Sequence, residues 1–153
     1  MPLSITVPDE YGYVLLAATS TALIGQWHSF FTGRYRKPAK VPYPNAYAPE
    51  AVAKTSPEAY AFNCAQRAHA NFLENLPVML PSLLIAGLRW PVAASVLGGI
   101  WGAGRIVYAL GYVRSSLGAD GRGRLKGFWF MLAQFGLLGM AGSVGWSVLN
   151  GGW

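Results

Sequence analysis

The chain has 153 residues, of which 53% are hydrophobic and only 12% are charged. A soluble domain usually carries about 25% charged residues, so the composition excludes an ordinary water-soluble domain. Six Trp, eight Tyr and seven Phe exclude a disordered chain, because disordered chains are poor in aromatic residues. One cysteine cannot form an internal disulfide, and no Cys/His cluster suits zinc. The net charge of +6 fits a nucleic-acid-binding protein at first sight, but its distribution along the chain indicates another role.

The first apolar segment, residues 11–31, contains no charged residue. At a rise of about 1.5 Å per residue it is long enough to cross a hydrocarbon core of about 30 Å. Asp9 and Glu10 precede it in place of the basic residues of a cleaved signal peptide, so we expect it to remain as an anchor. The basic, proline-rich stretch 32–57 predicts an extended loop at the membrane surface without a helix.

Three further apolar segments follow, at residues 57–88, 91–113 and 127–149. Pro57 and Glu58 suit the first turn of a helix. Arg105 is the charged residue of the third segment, and the fourth has none. The sequence therefore predicts an all-α membrane protein, a bundle of four transmembrane helices in a single domain over residues 1–153.

Small residues recur at helical spacing in the third and fourth segments. Such spacing lets the backbones of neighbouring helices approach each other closely. The glycines concerned are Gly98, Gly102, Gly136, Gly139, Gly142 and Gly145.

The basic residues are concentrated in two loops, which carry nine of the twelve lysines and arginines. These are Arg34, Arg36, Lys37, Lys40, Lys54, Arg114, Arg122, Arg124 and Lys126. By the positive-inside rule both loops are cytoplasmic and both termini lie on the other side. The charge therefore indicates topology, with attraction to anionic lipid headgroups or an anionic substrate as a second effect. We do not expect nucleic-acid binding.

Polar residues inside the second and third segments form two stripes. Ionisable residues within membrane spans are costly, usually face the bundle interior and often mark function. At about 100° per residue, the second-segment set and the third-segment set each fall within about 60°. The two sets are Arg67, Asn71 and Glu74, and Arg105, Tyr108 and Tyr112. Both lie toward the cytoplasmic ends of their helices, so they could line one pocket open to the cytoplasm.

This pocket would offer guanidinium groups for carboxylates, a carboxylate for an ammonium group, an amide and two phenols. Such a set suits a small zwitterionic peptide better than a metal or a nucleotide. A structural alternative stays open, in which Arg67 and Glu74 pair with each other or with Arg105 to hold the bundle together. The lone Cys64 and His28 are expected to be structural.

Three stretches of the sequence carry a family resemblance: FNCAQRAHANFLENLP at 62–77, RIVYALGY at 105–112 and VPYP at 41–44. With them the chain resembles the superfamily of membrane-associated proteins in eicosanoid and glutathione metabolism, and is most similar to its type 3 microsomal glutathione transferase branch. The resemblance implies a four-helix membrane bundle that assembles as a homotrimer. It also implies one glutathione site at each subunit interface, open to the cytosol.

By the same resemblance, glutathione is bound by Arg67, Asn71, Glu74, Tyr108 and Tyr112. Arg105 is a further candidate because it shares the stripe of Tyr108 and Tyr112. Arg36 lies where the family supplies a cation for a glutathione carboxylate. His69 lies where another branch has a glutamine in contact with the peptide. It points about 200° away from Arg67, so it would reach a site only from a neighbouring subunit or another face.

The family's catalytic arginine follows the third helix, in a loop that aligns here only with a gap. Arg122 is our first candidate and Arg124 the second. Asn75 replaces a tyrosine of the cysteinyl-leukotriene synthase branch, so a contact near the sulfur differs.

The activity implied is conjugation of the glutathione thiolate to lipophilic electrophiles, with reduction of lipid hydroperoxides as a second activity and no metal. The expected location, in contact with membrane lipid, is the endoplasmic reticulum membrane, or the inner membrane if the source is bacterial. The alternative is a non-catalytic lipid- or partner-binding protein, like the lipoxygenase-activating member of the superfamily.

Overall fold

The computed structural model describes residues 6–115, 117 and 120–152, and in these every regular element is a helix. The helices are α1 Tyr11–Arg36, α2 Glu50–Ala53, α3 Pro57–Gly87, α4 Pro91–Val113 and α5 Phe130–Leu149, with a 3-10 segment at Arg122–Gly127. The predicted all-helical class is confirmed for this part of the chain. The predicted domain also includes residues 1–5, 116, 118, 119 and 153, which lie outside the part of the chain that the structure describes.

Helices α3 and α4 form the centre of the structure. They pack against each other, and α1 and α5 each pack against both of them. Large side chains fill the space between them and are fully or almost fully buried, among them Phe72, Leu83, Trp101, Phe130 and Leu137. Burial of these side chains fixes which faces of α3 and α4 meet, and therefore where their polar residues lie.

Local signals explain the bounds of α3. The Ser56 hydroxyl accepts a hydrogen bond from the Ala59 amide at 3.2 Å, and Pro57 occupies the first turn. The helix continues through Pro77 and Pro81, each of which removes one backbone donor. The α3 residues of the predicted site, from Arg67 to Glu74, precede both prolines and lie on uninterrupted helix.

The prediction of an extended loop without helix over residues 32–57 was wrong. Helix α1 continues to Arg36 because no proline occurs before Pro38, which lacks the backbone N–H that a further helical turn would use. The loop then folds back onto α3, where Val41 and Phe62 lie in one buried cluster, and it contains the single turn α2. Apolar residues within the loop therefore give it a small core of its own.

The fourth segment was predicted to begin at residue 127, but α5 begins at Phe130. The residues before it form the 3-10 segment, which packs along α4 with close backbone contact. A Cβ atom at Gly123 would overlap the carbonyl oxygen of Gly111, and one at Gly127 would overlap the backbone of Gly104. Only glycine allows this approach.

The predicted small-residue contacts are present in part. A Cβ atom at Gly98 would lie 3.1 Å from Leu83, and one at Gly102 would press on Ile24. At three glycines of α5, by contrast, it would meet nothing within 4 Å in the described part of the chain. These are Gly139, Gly142 and Gly145.

Among the described residues, two helices combine the length and hydropathy of a transmembrane span, α4 and α5. Helices α1 and α3 are longer than α5 but contain more polar residues. Several large apolar side chains of the flanking helices are nonetheless exposed, including Leu16 and Phe30 of α1 and Leu132 and Leu149 of α5. Faces of this kind suit contact with lipid or with another protein chain.

Candidate functional site

Four side chains of α3 and α4 form one hydrogen-bonded network. Arg67 donates to both carboxylate oxygens of Glu74, at 2.6 and 3.2 Å. The Asn71 amide donates to Glu74 at 3.3 Å and accepts from Arg105 at 2.9 Å. The two stripes predicted from helical periodicity therefore meet at Asn71. We call these four residues the site network.

Arg105 lies at the closed side of this network. Its side chain is fully buried, and its guanidinium carbon lies 4.3 to 5.9 Å from the centres of four aromatic rings. The rings belong to Phe72, Trp101, Tyr108 and Phe130. Aromatic ring faces attract a cation and compensate in part for its removal from water. Arg105 therefore supports Asn71 from behind and has no surface open to a ligand in the single chain.

The open side of the network is formed by Arg67 and Glu74, whose side chains are 45% and 52% exposed. An exposed ion pair contributes little to stability because water screens both charges. Each of these groups is accessible to a ligand of opposite charge.

The two predicted tyrosines continue the site toward the 3-10 segment. The rings of Tyr108 and Tyr112 lie edge to face, 5.7 Å apart. The guanidinium of Arg124 lies 5.1 Å from the Tyr112 ring and donates to the Asp120 carbonyl at 2.6 Å. Arg122 is exposed at the start of the same segment. The structure thus places Arg124, our second candidate, beside the tyrosines.

A cavity of about 600 Å³ lies next to this cluster, with Arg67 and Tyr112 in its wall. Other wall residues come from the loop, α2 and the start of α3, among them Tyr47, Glu50, Lys54, Tyr60 and Cys64. The loop is held in place by Asn63, whose side chain pairs with the backbone of Ala48 at 2.8 and 3.1 Å. The cavity is therefore bounded by an anchored loop.

A second ion pair, besides that of Arg67 with Glu74, lies at this wall. The Lys54 ammonium is 2.6 Å from the Glu50 carboxylate, and its hydrogen bond holds the pKa of Glu50 below its usual range.

Within the described ranges, no three His, Cys, Asp or Glu side chains gather as a metal site. Guanidinium, carboxylate, amide and phenol groups instead suit a ligand with carboxylate and ammonium groups.

Two predicted ligand residues lie apart from the network. Arg36 stacks on the rings of Tyr43 and Phe62, and so organises the loop. Its guanidinium carbon lies 4.2 and 4.7 Å from the two ring centres. His69 faces α1, where its ring centre is 5.8 Å from that of His28. Within one chain neither residue joins the site network, in agreement with the helical phase of His69.

Sequence reasoning missed a second set of buried polar contacts. The Trp101 indole donates to Gln134 at 2.9 Å, Gln134 donates to Asn75 at 3.1 Å, and Asn75 donates to the Asn71 carbonyl at 2.8 Å. A signal was available, because Gln134 is an amide within a charge-free apolar segment, where polar side chains usually face other helices.

Comparison with known proteins gives two matches to this chain. A stretch of 56 residues is 43% identical to an uncharacterized protein of Synechocystis sp., covering 36% of this chain and 41% of that protein. The match therefore spans less than half of the relative's length. The family model described as the MAPEG family matches residues 14–146, which include the whole site network. The chain belongs to the MAPEG family, the membrane-associated proteins in eicosanoid and glutathione metabolism.

Proposed function

We propose that this protein is a membrane-bound glutathione transferase that conjugates the glutathione thiolate to lipophilic electrophiles. The MAPEG family includes glutathione transferases and non-catalytic members. The observation that favours an enzyme here is the site network itself, in which accessible charges of both signs lie beside two tyrosines and Arg124. A protein that only bound lipid would have no need of this set.

Glutathione carries two carboxylates, one ammonium group and two amide bonds. In our proposal the Arg67 guanidinium binds a carboxylate, Glu74 binds the ammonium group, and Asn71 binds the peptide. The Arg67–Glu74 pair of the free protein is exposed, so exchanging partners costs little. Arg105 holds Asn71, and Tyr108 and Tyr112 supply further hydrogen bonds.

The chemical step requires a thiolate, whereas a free thiol has a pKa of about 8.5 and is mostly protonated at neutral pH. A nearby guanidinium stabilises the anion and lowers its pKa. We propose that an arginine of the 3-10 segment has this role. Arg122 is the first candidate from the sequence, and the contact of Arg124 with Tyr112 favours Arg124. The sulfur then forms a bond to the electrophilic carbon, and the leaving group departs with the bonding electrons.

We also propose that α1, α3, α4 and α5 each cross the membrane and that both basic loops are cytoplasmic. The membrane is the endoplasmic reticulum in a eukaryotic source and the inner membrane in a bacterial one. Arg36 and His69 lie away from the network of their own chain, so in the proposed homotrimer they act on the site of a neighbouring subunit. A lipophilic electrophile enters from the bilayer.

Turnover of 1-chloro-2,4-dinitrobenzene by purified protein in detergent, with and without glutathione, tests the activity. A lipid hydroperoxide is the second substrate to be assayed. Arg67→Ala should lose most of the activity. Arg89→Ala is the matched control, since Arg89 stacks on Trp90 between α3 and α4, away from the site. Glutathione binding without turnover of either substrate would favour the non-catalytic alternative.

A further inference from the structure

We propose that Gln134 of α5 positions the site network through a directed chain of hydrogen bonds. The chain runs from Trp101 through Gln134 and Asn75 to the backbone carbonyl of Asn71. The role assigned to Gln134 rests on the proposed function, since glutathione is the ligand that the network would hold. It gives α5 a part in the site, although α5 supplies none of the predicted ligand residues.

The direction of this chain is set by its first member. An indole N–H can only donate, so the Gln134 atom that faces Trp101 must be the carbonyl oxygen. The Gln134 NH2 group then faces Asn75 and requires the side-chain oxygen of Asn75 on that side. The Asn75 NH2 group is thereby left to donate to the carbonyl of Asn71. One indole thus fixes the orientation of two amides.

The Asn71 side chain is oriented in the same way from the other direction. Arg105 can only donate and the Glu74 carboxylate can only accept, so the oxygen of Asn71 faces Arg105 and its NH2 group faces Glu74. Asn71 is therefore the point where contacts from α4 and α5 meet. Its backbone carbonyl is linked to α5 through Asn75, and its side chain accepts directly from Arg105 of α4.

Burial makes the chain sensitive to substitution. Trp101 is fully buried and Gln134 is 5% exposed, so bulk water has little access to replace a lost partner. Gln134→Leu leaves the indole N–H and the Asn75 oxygen without partners and frees the Asn75 amide to turn. We expect the Kd for glutathione to rise roughly fivefold to tenfold. The turnover rate at saturating glutathione should change much less.

The decisive comparison uses a variant that loses stability without touching the chain. Leu137 is fully buried on α5, one turn after Gln134, so Leu137→Ala opens a cavity nearby. Glutathione Kd and Tm are measured in detergent for wild type, Gln134→Leu, Leu137→Ala and Trp101→Phe, which keeps an aromatic side chain but loses the indole N–H donor. We expect weaker glutathione binding for Gln134→Leu and for Trp101→Phe. Leu137→Ala should bind glutathione like the wild type. An equal rise in Kd for Gln134→Leu and Leu137→Ala, at equal loss of Tm, would overturn the inference.

A second measurement does not depend on the ligand. Gln134→Leu, Asn75→Leu and the double variant form a thermal-stability cycle, because each single change removes one side chain of the chain. Coupling between the two sites supports the chain, whereas additive losses refute it. If the wild type binds no glutathione, the proposed function is wrong and this cycle alone decides the inference.

Discussion

Replacement of Glu74 by glutamine distinguishes a ligand-binding carboxylate from one that only holds its helix. In the structure Glu74 accepts three hydrogen bonds, two from Arg67 and one from Asn71. A glutamine keeps one acceptor oxygen and presents an NH2 group to partners that also donate. At least one of the three hydrogen bonds is therefore lost, together with the negative charge between Arg67 and Arg105.

The expected cost differs between stability and binding. Because the two paired side chains are 45% and 52% exposed, water screens their charges and their ion pair should contribute little to stability. In the proposed complex, Glu74 accepts a charge-assisted hydrogen bond from the glutathione ammonium group. Loss of such a bond costs about 1.5–3 kcal/mol, which corresponds to roughly tenfold to a hundredfold weaker binding.

Isothermal titration calorimetry of glutathione with purified Glu74→Gln, combined with thermal melts, measures both quantities. Glu58→Gln is the matched control, since Glu58 lies on the same helix and bonds to the Ser56 hydroxyl at 2.9 Å, outside the network. It should bind glutathione like the wild type. A Kd within about twofold of wild type for Glu74→Gln, alongside a clear fall in Tm, would refute the binding role and favour a purely structural pair.

Four further outcomes are expected. A cysteine introduced near Lys37 should be labelled from the cytoplasmic side, and labelling only from the other side would overturn the topology. Light scattering in detergent should give a homotrimer, whereas a fully active monomer would argue against a site shared between subunits. Arg124→Ala should lower turnover and raise the pH at which bound glutathione ionises, with glutathione affinity largely kept. If Arg122→Ala has these effects instead, the role passes to Arg122. Gly123→Ala should lower Tm by several degrees, since its Cβ would overlap the Gly111 carbonyl.

Helical periodicity was sufficient to predict which polar residues of one helix lie on a common face. Arg67, Asn71 and Glu74 are joined in one network, and His69 faces away from it toward α1. These relations depend only on the regular rotation per residue of a helix, which the sequence spacing already contains. The all-helical class likewise follows from composition and apolar segments. Local breakers such as Pro38 and Pro57 set helix ends, although the end of α1 was placed too early.

Contacts between helices were decided by the tertiary structure. The bond from Arg105 to Asn71 and the chain from Trp101 through Gln134 to Asn75 join residues from different helices. Their pairing depends on the rotation and height of each helix relative to its neighbours. Packing of large side chains such as Phe72 and Phe130 sets these quantities, and no local spacing in the sequence encodes them.

The choice between two arginines shows the same limit most clearly. Arg122 and Arg124 are two residues apart in a basic, glycine-rich stretch. No regular helix is predicted there, so the spacing does not determine the direction in which either side chain points. The stretch forms a 3-10 segment whose glycines lie against the backbone of α4, and this contact carries Arg124 to the Tyr112 ring. The missing Cβ atoms are visible in the sequence, but the surface against which they allow the chain to pack exists only once α4 has folded beside it.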